Sequence, residues 1–166
     1  MGYWGYYVVA RSERALNELD ALAGVREGLT LHERRADGWQ VWEHPSRPDV
    51  PDVGDMNKLA QETGAPALFG FVMDSACVVV EAAAPETGGW NAALARDAMG
   101  DYLAPEGPGV EDLFLSPEDA AERAAAWAEE GTGRETSADV LVPVFRAPAE
   151  PSAELLFFHF LERLGI

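Results

Sequence analysis

Cysteine and lysine are almost missing from this chain, with Cys77 and Lys58 the only examples in 166 residues. A single cysteine rules out an intramolecular disulfide, so the fold must rest on its own core, and a reducing compartment is the natural setting. Positive charge is scarce altogether: 12 Lys plus Arg face 29 Asp plus Glu, a formal net charge of -17. Phosphate backbones and anionic headgroups are normally held by clustered Lys and Arg, so nucleic acid and membrane surfaces are poor partners for this composition. No apolar run approaches the roughly 20 residues that cross a bilayer. The opening stretch, residues 1–11, has neither a basic region before its apolar part nor a small-residue cleavage pattern. A cytoplasmic protein is expected. Phosphate-cradling signatures are also missing: neither GxxxxGK[ST] nor GxGxxG occurs, which argues against nucleotide-dependent chemistry, and no cofactor is expected.

What is present describes a folded globular chain, 48% hydrophobic and 25% charged. Its length fits one domain with a substantial core. Residues 3–10 (YWGYYVVA) are aromatic and β-branched, suited to a packed strand. Ser12 can then cap a helix carrying Leu16, Leu19 and Leu22, with Gly24 as its stop. Segments 29–35 and 39–44 alternate in polarity around Ala36-Asp37-Gly38, a hairpin signal. With Gly38 left-handed, odd positions pair with odd. Leu29, Leu31, Trp39 and Val41 then share one face, and Thr30, His32, Arg34, Gln40, Trp42 and His44 share the other.

Asp52 or Asp55 can cap a short helix through Met56, Leu59 and Ala60 that ends at Gly64. Two apolar runs, 67–73 and 77–83, flank Asp74-Ser75-Ala76 and predict a buried hairpin, and 90–95 offers one more strand or the start of a helix. Ser116-Pro117-Glu118-Asp119 is a strong helix start, combining a cap, a first-turn proline and acids at the positive end of the dipole. That helix is expected to reach about residue 130. Val140 onward to Arg146 reads as extended but holds Pro143, which demotes it to an edge strand or loop. A last helix spans 152–164. The expectation is an α+β single domain, 1–166. Its largely antiparallel sheet has the ferredoxin-like βαββαβ order (about 1–84), extended by one or two strands, and two C-terminal helices (about 116–166) cover the second sheet face.

No catalytic or metal motif stands out, so candidate site residues are chosen by chemistry alone. His32 and His44, set diagonally on one face beside Trp42 in the register above, are candidates for binding. Two imidazoles on a ladder do not supply the three or four converging ligands of a zinc site, so no metal is expected. Trp42 and Trp4 are expected at the surface, where an aromatic ring can anchor a partner. Glu111 with Asp112, and Glu118 with Glu122 one helical turn apart, offer an acidic docking face. Asp74, Ser75 and Cys77 lie at a hairpin tip, but no base or Gly-flanked elbow announces a nucleophile. Two functions follow. One is a non-enzymatic protein-binding module, in its sharpest form an acidic immunity or antitoxin-type neutraliser of a basic effector. The other is a small-molecule binder or enzyme with a pocket between the sheet and the C-terminal helices, residues 104–115 acting as a flap.

Overall fold

The computed structural model describes residues 2–166. Six strands form one antiparallel sheet: β1 (Gly5–Arg11), β2 (Thr30–Arg34), β3 (Trp39–Pro45), β4 (Ala67–Met73), β5 (Cys77–Ala83) and β6 (Trp90–Leu94), in spatial order β2-β3-β1-β4-β5-β6. The fold is therefore α+β. Helices α1 (Met56–Thr63), α2 (Arg96–Met99), α3 (Val110–Leu113), α4 (Pro117–Thr132), α5 (Val142–Arg146) and α6 (Ala153–Arg163) surround the sheet. The expectation of two C-terminal helices is corrected, because three α-helices, α4, α5 and α6, lie within 116–166 and five follow β6 among the described residues.

Each face of the sheet carries its own apolar cluster. On one face Tyr7, Val9, Trp39 and Val41 pack with α4, α5 and α6 through Trp127, Phe145, Phe157 and Phe160. The opposite face, with Val8, Ala10, Trp42 and Phe69, is covered by the segment after β1 and by α1. The helix expected after Ser12 is instead a set of 3-10 turns, Leu16–Glu18 and Asp20–Gly28, running past Gly24. Leu16, Leu19, Leu22 and Val25 are all buried. Their strict three-residue step matches the 3.0-residue turn of a 3-10 helix, so this winding keeps every one on the sheet side.

Several local rules hold. Asp55 caps α1, its carboxylate accepting from the Asn57 N–H at 2.8 Å, and Gly64 ends the helix at φ 69°. Ser116 caps α4, accepting from the Asp119 N–H at 3.1 Å, with Pro117 in the first turn. Close approach rather than propensity explains Gly70: a Cβ there would lie 2.4 Å from the Phe157 ring, so glycine is what lets α6 rest on β4. The segment expected as an edge strand is α5, because Leu141, Val144 and Phe145 at helical spacing all bury against the core and Pro143 sits in the first turn where no N–H is required.

The β2–β3 hairpin keeps the expected register only near its turn. Arg34 pairs Gln40 and Glu33 pairs Val41, but beyond a bulge at His32 the pairs become Leu31 with Trp42 and Thr30 with Glu43. One extra residue reverses the facing of everything before it. Leu29 therefore joins the Trp42 face rather than the Trp39 face.

Candidate functional site

The bulge separates the two candidate histidines. His32 stacks on Phe158 (centroids 5.0 Å apart, planes 8° apart) and meets the edge of Tyr7, on the α6 side. His44 is fully buried on the other side, against the edge of Tyr6. The diagonal arrangement on one face is thus corrected. Neither nitrogen of His44 finds a hydrogen-bond partner, and a Cβ on Gly28 would lie 2.8 Å from its Nε2. Burial holds its pKa below the ordinary histidine value, assisted by nearby Arg47 and opposed by the Pro45 backbone and Asp52. Among the described residues no group of three or more His, Cys, Asp and Glu side chains is placed to hold a metal ion.

Trp42 is not an exposed anchor. It is 6% exposed, and its indole N–H donates to Gln40 Oε1 at 2.8 Å. Gln40 in turn donates to the carbonyls of Ser12 and Arg14 and accepts from the Leu16 N–H. A buried indole is stable there because this amide network gives it a partner. Trp4, by contrast, is 42% exposed as expected.

The four acids of the expected docking face are exposed but not jointly available. Glu118 forms an ion pair with Arg146, and Asp112, third residue of α3, accepts from the N–H of the N-cap Gly109 at 2.9 Å. Glu111 faces a cleft of about 760 Å³ between the end of β6, α3 and the start of α4. That cleft has mixed charge, with Arg96 and Arg146 near Asp97, Glu111 and Glu150. Its two guanidinium groups are engaged already, Arg96 donating to the Leu115 carbonyl at 2.8 Å and Arg146 meeting Glu118. Glu122 stands on α4 with no ion pair.

The tip of the β4–β5 hairpin is a structural hub. Asp74 and Ser75 both adopt left-handed φ, 53° and 52°, as a two-residue hairpin turn requires. Asp74 accepts from the Gly2 N–H at 2.7 Å and from the Tyr102 hydroxyl at 3.2 Å. Ser75 accepts from the Tyr3 N–H at 2.8 Å and donates to Glu154 at 3.0 Å, joining β1, the tip and α6. Cys77 is fully buried, and burial pushes its thiol up to about 11, with Asp101 and Asp74 adding to the rise. A neutral thiol of this kind is a poor nucleophile.

The feature that sequence reasoning missed lies on the open part of the sheet, on the face opposite α4 and α6. Register aligns Tyr6, Phe71 and Val79 in one row across β1, β4 and β5, and Val8, Phe69 and Glu81 in the next. Tyr6 and Phe71 stack at 4.6 Å, Phe69 meets Tyr6 edge-on at 5.4 Å, and Trp4 extends the aromatic row from Phe71 to Tyr102. The loop entering α1 forms a wall, and the resulting cleft of about 550 Å³ is lined by Tyr6, Phe69, Phe71, Asp52, Asp55 and Glu81 among others.

Three carboxylates and no cation line this cleft. One oxygen of Asp52 accepts from the Gly54 N–H, and one of Asp55 caps α1. None of the three acids joins an ion pair among the described residues. Partial burial raises the Glu81 pKa, and the like charges of Asp55 and Asp52 raise it further. The Tyr6 phenol is raised by burial and by the fields of Asp52 and Glu81. The site thus combines aromatic surface, partial desolvation and uncompensated negative charge. Comparison with protein-family models, with curated proteins and with solved structures finds no match to this chain.

Proposed function

We propose that the chain is a non-enzymatic binding module for a basic protein, with an immunity or antitoxin-type neutraliser of a basic effector as the sharpest form. The observation that carries this reading is the cleft of Tyr6, Phe69 and Phe71 walled by Asp52, Asp55 and Glu81, open beside the exposed rings of Trp4 and Tyr102. Aromatic anchors at the centre and charge of one sign around them are what a cationic partner surface requires. The net charge of -17 adds long-range attraction to the same partner. The single cysteine, which has no partner for an intramolecular disulfide, supports placing the chain in a reducing, cytoplasmic setting. As its structural premise the reading keeps a ferredoxin-like core, for which the order β2-β3-β1-β4 and the helical segments after β1 and β3 speak. That premise carries no function by itself.

The test is affinity capture from the native cell in which elution is followed as salt rises from about 0.05 M to about 0.5 M. A retained protein of basic composition that is released progressively over that range is the expected outcome. Retention only of neutral or acidic proteins, or release indifferent to salt, contradicts it.

A second reading is favoured by the 760 Å³ cleft at β6, α3 and α4, to which Val110 and Glu111 of the 104–115 segment contribute. There the chain binds a small molecule, or acts on one, between the sheet and its C-terminal helices, and the segment serves as a flap. The engagement of Arg96 and Arg146 with protein partners leaves fewer free groups to orient a ligand, which is why this reading stands second.

A further inference from the structure

The cleft on the open sheet face has a charge and shape that narrow what can occupy it. It is lined by the rings of Tyr6, Phe69 and Phe71 from β1 and β4, and by three carboxylates whose free oxygens have no cationic partner among the described residues. The three acids are exposed, so an apolar guest would draw nothing from their charge, and an anionic guest would be repelled. A cation with an apolar body suits both parts at once, because its charge meets the carboxylates while its carbon frame packs against the rings.

Between the two protein cations, geometry favours arginine. A guanidinium is flat, delocalised and weakly hydrated, so it can pack against the rings of Tyr6 and Phe71 while its edge N–H groups donate to more than one carboxylate. A lysine ammonium is compact and strongly hydrated, and would lose more hydration for the same contacts. Tyr6 adds an orienting feature: its ring lines the cleft and its hydroxyl lies within the field of Asp52 and Glu81. The chain's own arginines do not fill the place. Arg14, Arg35 and Arg146 pair with carboxylates elsewhere, while Arg26, Arg96, Arg123 and Arg134 donate to backbone carbonyls elsewhere.

We propose that this cleft, bounded by Tyr6, Phe69, Phe71, Asp52, Asp55 and Glu81, receives an arginine side chain presented by the basic partner. The inference rests on the reading of the chain as a binder of a basic protein and specifies the contact at the centre of that interface. The cap roles of Asp52 and Asp55 make clean variants possible, since asparagine keeps a turn or cap acceptor while removing the charge.

The experiment is a titration of the full chain, followed by backbone NMR shifts, with a blocked Gly-Arg-Gly tripeptide at millimolar concentration and with its citrulline counterpart, a neutral near-isostere. The expected result is shifts confined to Tyr6, Gly54, Phe71 and Glu81 and their neighbours, binding weaker by about fivefold or more for citrulline, and a loss of similar size in Glu81→Gln. Glu129→Gln on α4 leaves the affinity unchanged. Shifts centred elsewhere, equal binding of arginine and citrulline, an unaffected Glu81→Gln variant, or no shift at all overturns the proposal. If salt-sensitive capture of a basic protein persists alongside any of those results, the arginine site falls and the partner reading stands. If capture fails as well, both fall.

Discussion

His44 and Glu81 carry opposite consequences of burial. For His44 the folded-state pKa lies below the unfolded value, so the unfolded chain binds the extra proton as pH falls through about 6.5. Stability is therefore fully present above that value and is lost toward acid. Replacing His44→Leu removes this component: between pH 7 and pH 5 the slope of unfolding free energy against pH is expected to become shallower, by at most about 1.4 kcal/mol per unit. Urea unfolding at several pH values measures it, and parallel slopes for the two proteins refute it. Glu81 works the other way. Its folded pKa is raised, so the native state holds the proton longer and stability declines as pH climbs through the carboxylate range. Glu81→Gln is expected to stabilise the fold at pH 7 by up to about 0.5 kcal/mol, with the advantage shrinking at pH 4. A destabilised variant at pH 7 would show that Glu81 is held by contacts rather than left unpaired for a ligand. Trp42 shows what residue-level reading misses. Its exposure was expected from the polarity of its strand face, but Gln40 two positions earlier on that face supplies the buried partner its indole needs. That pairing was open to inspection in the sequence. The aromatic-acidic cleft was not, because it depends on which residues of β1, β4 and β5 come into line.

At the scale of elements, punctuation was legible and winding was not. Asp55 and Gly64 bracket α1, and Ser116, Pro117 and Gly133 bracket α4, where side-chain caps and left-handed glycine act locally. The 67–73 and 77–83 runs became β4 and β5, again from local pattern. Three readings failed where tertiary contacts outweighed propensity: the 3-10 turns after Ser12, the bulge at His32 and the helix α5. The bulge matters most, since it undid the pairing of His32 with His44 that made them joint candidates. Docking of α6 depends on a single missing methyl group. Gly70→Ala is expected to cost about 1–3 kcal/mol, since its Cβ would overlap the Phe157 ring and neither β4 nor α6 can yield without disturbing the core. A thermal or urea melt checks this, and an unchanged midpoint would mean that α6 rests on the sheet less closely than its contacts indicate.

For the molecule as a whole, the sheet divides labour between its faces. One is sealed by α4, α5 and α6. The other is covered beside α1 and leaves a half-buried pair, Tyr6 and Phe71, leading to the exposed rings of Trp4 and Tyr102, with Asp52, Asp55 and Glu81 beside it. The surplus of carboxylates is thus partly spent on helix caps and exposed helix faces, and partly placed beside the aromatic rings of the open sheet face. Of the C-terminal acids expected to form a docking face, Glu118 is engaged by Arg146 and Asp112 by the first turn of α3, while Glu111 and Glu122 make neither kind of contact among the described residues. Charge alone motivates the proposed basic partner without locating it; the sheet register supplies the candidate cleft. The most direct measurement is calorimetric titration of an arginine-rich peptide into the wild-type chain and into the triple variant Asp52→Asn, Asp55→Asn, Glu81→Gln, each at low and high salt. The expected result is wild-type binding that weakens as salt rises, with affinity at low salt falling about tenfold or more in the triple variant and its salt dependence becoming shallower. Equal affinity and equal salt dependence for the two proteins would contradict the assignment of partner binding to this cleft.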